Sequence, residues 1–300
     1  MDKEAHLPEE IVTIRDLLRY TVTLYNEAGL HFGHGFPSAQ EEANYLILST
    51  LHLPFDQRDL WLDASLTVAE KEKLFSLINR RVTEKLPVAY LTHEAWLGDY
   101  RFYVDERTIV PRSFIADALF NDFDNWFSDP DKIKYVADLC TGGGSLAVLL
   151  ALLFPQATVD AVDISKDALE VAKINVTQYG LEKQIHLHQG DLFSALPAKR
   201  HYSLIISNPP YVDASAMATL PDEYRAEPTL ALASGEDGLD HIRRLIQEAP
   251  QHLAKDGLLL VEIGHNRAAL ENAFPELPFL FLSLPGGDDY VFVLRREELV

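Results

Sequence analysis

The first ninety residues of the chain carry apolar side chains at helical spacing. Between Ile11 and Tyr25 these positions recur every three or four residues, which places them on one face of a helix. Two further apolar runs each follow a possible capping box, in which a hydroxyl residue precedes an acid by three positions, at Ser38 and at Thr67. The pattern predicts a helical domain over residues 1–93, and we expect it either to dock a protein substrate or to pack against the main domain.

The hydrophobic period changes after this segment. Residues 96–102 alternate around Gly98 and Asp99, a pair typical of a tight turn, and this predicts a β-hairpin. We interpret residues 94–112 as the connection between two domains, and the next helix is predicted over residues 113–127.

From residue 135 onward, short apolar runs alternate with helical patterns, which predicts a parallel sheet with helices on both faces. The predicted strands are 135–139, 158–162, 184–189, 203–206 and 257–262, and the predicted helices are 145–154, 166–179 and 239–253. Two last strands, 279–284 and 290–294, are joined by five turn-forming residues, so they must pair antiparallel. Such a sheet is typical of Rossmann-like class I adenosylmethionine-dependent methyltransferases, and we predict that α/β fold, with seven strands, for residues 113–300.

Composition and charge exclude several classes of function. The 300 residues contain 26 Lys and Arg against 46 Asp and Glu, which gives a net charge of −20. This charge disfavours binding to nucleic-acid phosphates and to anionic lipid, and it favours binding to basic partners. No apolar run reaches the roughly 20 residues of a membrane span, and the first residues lack the basic segment and the apolar segment of a signal peptide. We therefore expect a cytoplasmic protein without sequence-specific nucleic-acid binding. The single cysteine, Cys140, excludes a Cys-rich zinc site, and no metal site is predicted.

A candidate cofactor site begins where the first predicted strand of the sheet ends. Asp138 precedes a loop with three consecutive glycines, Gly142, Gly143 and Gly144, which let the backbone turn tightly and a ligand lie close to it. An acid at this position would repel a pyrophosphate but suits a cationic amino-acid group. The loop therefore favours adenosylmethionine over a dinucleotide.

Acidic residues also follow the next two predicted strands. Asp163 can accept hydrogen bonds from ribose hydroxyls, although it could instead cap the following helix, as could Ser165. Asp191, beside Leu192 and Phe193, can hold the amine of an adenine ring. Because the carboxyl ends of parallel strands meet at one edge of a sheet, the three loops should converge on one crevice. The predicted cofactor is S-adenosyl-L-methionine.

The most specific motif, Asn208-Pro209-Pro210-Tyr211, follows the fourth predicted strand. Two prolines fix the backbone, so the Asn208 amide oxygen and the Pro209 carbonyl oxygen can accept both hydrogens of one planar –NH2 group. Tyr211 can stack its ring on that group. Since a carboxamide nitrogen is a poor nucleophile, we expect catalysis to rest on positioning and hydrogen bonding more than on a strong base.

On these motifs the whole chain resembles the protein glutamine N-methyltransferases of the translation apparatus. The similarity is strongest to the subgroup that acts on a large-subunit ribosomal protein of the L-three type, and it rests on residues 110–113, 208–213, 220–224 and 227–240. The chain departs from the pattern of that subgroup at Phe114, Gly143 and Ser145. The resemblance implies a basic ribosomal protein as substrate and partner.

The resemblance also implies a role for each motif residue. Asn208 and Pro209 would hold the glutamine amide and act in catalysis with Tyr211, which packs on it, and Pro210 would complete the substrate contact. The implied cofactor-binding residues are Asp138, Thr141, Gly142, Gly144, Asp163, Asp191 and Asn208.

Three alternatives remain at this point. Methylation of peptide chain release factors would use the same chemistry and is disfavoured by Ser113 and by residues 222–224. Methylation of the exocyclic amine of adenine in a nucleic acid needs base flipping and a basic channel, which the charge disfavours. A non-catalytic assembly factor is disfavoured by the intact glycine loop and Asn208.

The stretch from residue 212 to residue 238 shows little regular pattern. Loops at the carboxyl ends of strands tend to carry substrate contacts, so we expect Glu223, Tyr224 and Glu227 either to face a basic partner or to be solvated. Residues 262–265, at the end of the fifth predicted strand, are interpreted as a turn.

Overall fold

The structure is a computed structural model that describes residues 7–121, 126–127, 132–284 and 287–299. Its contacts divide the chain into two compact units. The first unit consists of Met1–Glu94 and Pro221–Ala226, and the second of Ala95–Leu220 and Glu227–Val300. The hairpin segment thus falls in the second unit, and a short piece of the long crossover belongs to the first.

The first unit is built from helices whose apolar faces form its core. They are α1 (Ile14–Glu27), α2 (Ala39–Thr50), α3 (Arg58–Trp61), α4 (Val68–Thr83) and α5 (Val88–Thr92). At the start of α4, Thr67 and Glu70 form the predicted reciprocal capping box. At the start of α2, Ser38 accepts from the Glu41 amide, and only this half of the predicted box is present among the described contacts.

A buried ion cluster includes the part of the crossover that belongs to the first unit. Arg81 donates to Glu42 at 2.6 Å and to Glu223 at 3.1 Å, and all three side chains are at most 3% exposed. The His31 amide also donates to Glu223, and the His31 ring contacts Tyr224. The expectation that Glu223 faces a partner or solvent is therefore wrong, because its carboxylate is needed to neutralise a buried guanidinium.

The second unit begins with the predicted hairpin, formed by β1 (Ala95–Leu97) and β2 (Tyr100–Phe102). The sheet strands that follow are β3 (Tyr135–Leu139), β4 (Thr158–Asp163), β5 (Ile185–Gln189), β6 (Tyr202–Ser207), β7 (Leu253–Glu262), β8 (Leu280–Leu284) and β9 (Gly287–Arg295). The helices are α6 (Phe114–Asn121), α7 (Ser145–Leu153), α8 (Lys166–Gln178), α9 (Ala214–Thr219), α11 (Asp240–His252) and α12 (Arg267–Ala273), while α10 (Asp222–Arg225) belongs to the first unit.

Seven strands of the described chain form one sheet in the order β5-β4-β3-β6-β7-β9-β8. The pairs from β5 to β7 are parallel, and β9 runs antiparallel to both β7 and β8. The predicted Rossmann-like methyltransferase fold is confirmed. Because the order reverses at β3, the loops after β3 and β6 flank a switch point, where sheets of this class bind their ligands.

Besides the position of Glu223, the structure differs from the sequence prediction in the starts of two strands, since β7 begins at Leu253 instead of residue 257 and β9 at Gly287 instead of residue 290, and in one helix and the crossover. The helix predicted over residues 113–127 is helical over Phe114–Asn121, residues 122–125 lie outside the described chain, and Trp126 and Phe127 are not helical. The Phe127 ring instead packs edge-on against Phe154. The crossover predicted to be irregular contains α9, α10 and a short 3-10 helix at Thr229–Ala231. In the described ranges, no helix is long and apolar enough to cross a membrane.

Candidate active site

A cleft opens within the second unit at the carboxyl ends of the parallel strands. Residues at or just after the ends of β3, β4, β5 and β6 all contribute to its lining. Five of the predicted site residues line it: Gly142, Asp163, Asp191, Asn208 and Pro210. The other five, Asp138, Thr141, Gly144, Pro209 and Tyr211, are not among its described lining residues.

Asp163 connects the glycine loop to the tip of β4. One carboxylate oxygen accepts from the Gly142 amide at 2.8 Å, and the other accepts from the Ser165 amide at 2.8 Å. Ser165 itself caps α8 by accepting from the Ala168 amide, so Asp163 is not the side chain that caps this helix. Burial raises the pKa of Asp163, and the backbone hydrogen bonds oppose that rise. A carboxylate has room for further donors, so Asp163 can still accept from a ligand.

Asp138 lies at the end of β3, directly before the glycine loop, and its side chain is fully buried. One oxygen accepts from the Thr141 hydroxyl at 2.5 Å, whereas Oδ1 has no hydrogen-bond partner in the described part of the chain. Burial raises the pKa of Asp138 to about 7. An unpartnered buried acceptor is costly, and it suits a site that a cationic ligand completes.

Two residues of the cleft have a left-handed backbone that side-chain-bearing residues rarely adopt. Cys140 has a φ of 60°, and Leu192 has a φ of 48°. Both line the cleft, one after β3 and one in the loop after β5. Backbone strain of this kind costs about 1–3 kcal/mol and tends to concentrate at ligand sites.

Asn208 and Pro209 directly follow β6, whose last residue is fixed to the neighbouring strand. The buried Ser207 hydroxyl donates to the Leu139 carbonyl at 2.8 Å, which holds the end of β6 beside the end of β3. Asn208 is half-buried in the cleft, and Pro209 is buried. Among the described residues, neither the Asn208 carboxamide nor the Pro209 carbonyl has an intramolecular hydrogen-bond partner. Neither oxygen is therefore occupied by a donor from the described part of the chain.

Tyr211 is held by side chains that the sequence analysis did not single out. Its hydroxyl donates to Glu262 at 3.1 Å, and its carbonyl accepts from the Asn266 side chain at 2.7 Å. Glu262 is the last residue of β7, so the interpretation of residues 262–265 as a mere turn misses a buried carboxylate.

The predicted adenine-side residue, Asp191, already has an ionic partner. Arg244 donates to both of its oxygens, at 3.0 and 2.9 Å, and both side chains are partly exposed. His241 lines the cleft nearby and pairs through Nδ1 with the Ser234 hydroxyl at 3.0 Å, and burial lowers its pKa. His241 lies near the start of α11, and nothing in the sequence around it indicates that it lines the cleft.

The far end of the crossover is anchored in the second unit. Arg112 donates to both oxygens of Glu227, at 2.5 and 2.7 Å, and the Val110 amide donates to the same carboxylate. The Glu227 side chain is fully buried, so the expectation that it faces a partner or solvent is wrong. The residues just after it, Pro228, Leu230 and Ala231, line the cleft.

The donor set of the cleft fits adenosylmethionine. It offers the glycine loop, against which a ligand can lie closely, and Asp163 at the tip of β4 as an acceptor for ribose hydroxyls. Asp138, with its unpartnered oxygen, directly precedes this loop in the chain but is not among the described lining residues. Within the described ranges, no group of three or more His, Cys, Asp or Glu side chains is placed to hold a metal ion.

Comparison with known proteins gives the same class of enzyme. The family described as "Methyltransferase small domain" matches residues 118–222. The chain is 53% identical over 292 residues to the ribosomal protein uL3 glutamine methyltransferase of Neisseria gonorrhoeae, covering 97% of each chain. It is 51% identical to the protein of that name from Bordetella pertussis and 50% identical to that from Burkholderia pseudomallei, again covering 97% of each chain.

Proposed function

Because this chain belongs to the family of ribosomal protein uL3 glutamine methyltransferases, we propose that it methylates the side-chain amide nitrogen of a glutamine in uL3. The methyl donor is S-adenosyl-L-methionine. A basic ribosomal protein suits a chain with a net charge of −20, and such a substrate supports a cytoplasmic location.

The observation that carries the proposal is the pair of acceptor oxygens directly after β6, on Asn208 in the cleft lining and on the adjacent Pro209, neither of which has a partner among the described residues. A primary amide presents two N–H donors in one plane, and the Asn208 carboxamide and the Pro209 carbonyl are two acceptors on a backbone stiffened by proline. Bound in this way, the amide nitrogen is oriented and made more electron-rich. The contribution of these residues is therefore orientation and electrostatics, without a strong base.

The cofactor supplies an electrophilic methyl group on a positively charged sulfur. We propose that Gly142, Asp163 and Asp191 hold it along the cleft, with Asn208 at the boundary to the substrate. Thr141 and Gly144 would act by shaping the loop, since Thr141 donates to Asp138 and Gly144 is the N-cap of α7, with a φ of 77°.

The substrate assay offers labelled S-adenosyl-L-methionine with purified uL3, a peptide chain release factor and duplex DNA in parallel. We expect label in uL3, and mass mapping should locate one methyl group on a glutamine side chain. Label confined to the release factor or to DNA would contradict the proposed substrate and identify the alternative.

Asn208→Ala tests the role of the carboxamide. We expect it to abolish transfer to uL3 while leaving the dissociation constant for S-adenosylhomocysteine within roughly tenfold, about 1.4 kcal/mol. The matched control is Asn272→Ala, at an exposed asparagine of α12, which should behave as wild type. Near-normal turnover of Asn208→Ala would contradict the amide-holding role.

A further inference from the structure

The carboxylate of Glu262 occupies a buried position at the end of β7, where three chain segments meet. It is 1% exposed. Oε1 accepts from the Tyr211 hydroxyl at 3.1 Å, and Oε2 accepts from the Ser113 hydroxyl at 2.6 Å and from the Phe114 amide at 2.9 Å. A buried carboxyl group needs such donors, and here each oxygen has its own set.

The support under this carboxylate is rigid. Strand β7 is paired on one side with β6 and on the other with β9, and Glu262 itself is in register with Val291. Ser113 and Phe114 stand at the start of α6, which packs on the same sheet. The hydroxyl of Tyr211 is thus hydrogen-bonded to a strand of the central sheet and not to another loop.

Other contacts fix the opposite parts of Tyr211. Its carbonyl is held by Asn266, and a Cβ at Gly264 would lie only 2.7 Å from its ring. The backbone of the motif is therefore held at the Tyr211 carbonyl, and the Cδ2 and Cε2 atoms of the ring lie close to Gly264. The hydrogen bond to Glu262 is made by the hydroxyl, which is the atom of the side chain furthest from the backbone. A small rotation of the side chain displaces this atom more than any other.

We propose that Glu262 is a positioning residue for methyl transfer, which holds the Tyr211 ring, through its hydroxyl, in the orientation that packs on the target amide. The proposal rests on the proposed function, because the contact of Tyr211 with the substrate belongs to it. Glu262 does not itself touch the reacting atoms. Its effect should therefore pass through Tyr211.

A double-mutant cycle with uL3 as substrate tests this route. Tyr211→Phe keeps the ring and removes the hydroxyl, and Glu262→Gln keeps one acceptor oxygen in place of two. We expect each change to lower kcat about tenfold, with KM for uL3 changed much less and binding of S-adenosylhomocysteine changed less than about twofold. The double variant should be no slower than the slower single variant, within about twofold, because both changes remove the same contact.

Independent effects would overturn the proposal: a double variant about a hundredfold slower than wild type means that Glu262 acts by another route. Glu276→Gln, at an exposed glutamate, is the matched control and should leave kcat unchanged. If Glu262→Gln does not fold, Tyr211→Phe alone decides, since wild-type kcat in that variant would exclude a role for the hydroxyl.

The two proposals fail differently. If wild-type enzyme does not methylate uL3, the proposed substrate is wrong, and the same cycle is run on whichever protein the parallel assay labels. If wild-type enzyme methylates uL3 but the effects of Tyr211→Phe and Glu262→Gln on kcat multiply in the double variant, only the proposed role of Glu262 is wrong.

Discussion

At the scale of single residues, the candidate site depends on carboxylates that the fold has buried. Asp138 is the extreme case, because it is fully buried with one oxygen unpartnered and burial raises its pKa to about 7. A group with that pKa is largely protonated in the free protein at pH 6. A bound ammonium group nearby would favour the ionised form and lower the pKa again.

Cofactor binding should therefore release a proton from Asp138. Because the raised pKa belongs to the free protein, the dissociation constant for S-adenosylhomocysteine should fall as the pH rises from about 6 to about 8 and then level off. Calorimetry in buffers of different ionisation enthalpy measures the released proton directly. Asp138→Asn should show weaker binding without proton release. Equal proton release by both proteins would contradict this role and leave Asp138 only its hydrogen bond to Thr141.

At the scale of elements, the turns that follow strands set the position of the candidate substrate residues. Gly264 follows β7 with a φ of 53°, and a Cβ there would meet the Tyr211 ring. Gly180 follows α8 with a φ of 68°, and a Cβ there would meet nothing within 4 Å. Both glycines therefore have a left-handed backbone, but only at Gly264 would an added side chain meet a neighbouring residue.

Gly264→Ala should lower kcat on uL3 by at least about tenfold, because the new methyl group displaces the Tyr211 ring. Gly180→Ala places a side chain on the same left-handed backbone, at a cost of about 1–2 kcal/mol, and should lower the melting temperature without lowering kcat. Steady-state kinetics and thermal unfolding of both variants make the comparison. Equal kcat values for the two variants would show that the Tyr211 ring has room to move.

The sheet and the position of the loops that line the cleft could be predicted from the sequence because their signals are local. Buried parallel strands are short, continuous apolar runs, and Asn208 is marked by two adjacent prolines. The roles of Glu223, Glu227 and Glu262 could not be predicted, since Arg81, Arg112 and Ser113 lie more than a hundred residues away in the chain from the carboxylates they contact, and Tyr211 lies 51 residues from Glu262. The local sequence around an acidic residue is the same whether its carboxylate is solvated or pairs with a distant arginine.

At the scale of the whole molecule, the net charge of −20 should act on the encounter with a basic substrate. Raising the salt concentration from about 0.05 M to about 0.3 M screens long-range attraction, so KM for uL3 should rise several-fold while kcat stays constant. A short peptide around the modified glutamine with neutral flanks should show a much flatter response. A KM for uL3 that ignores salt would exclude electrostatic attraction from the encounter.

The first unit takes Pro221–Ala226 from late in the chain, and this affects how the protein is made on the ribosome. Arg81 emerges long before Glu223, its partner 142 residues later. At about 5–20 residues per second, that interval lasts on the order of ten seconds. Strands β3 to β6 are synthesised in the meantime, so the buried ion pair of Arg81 and Glu223 can form only after all of these strands have been made. The completion of the unit that is translated first therefore waits for the translation of a large part of the second unit.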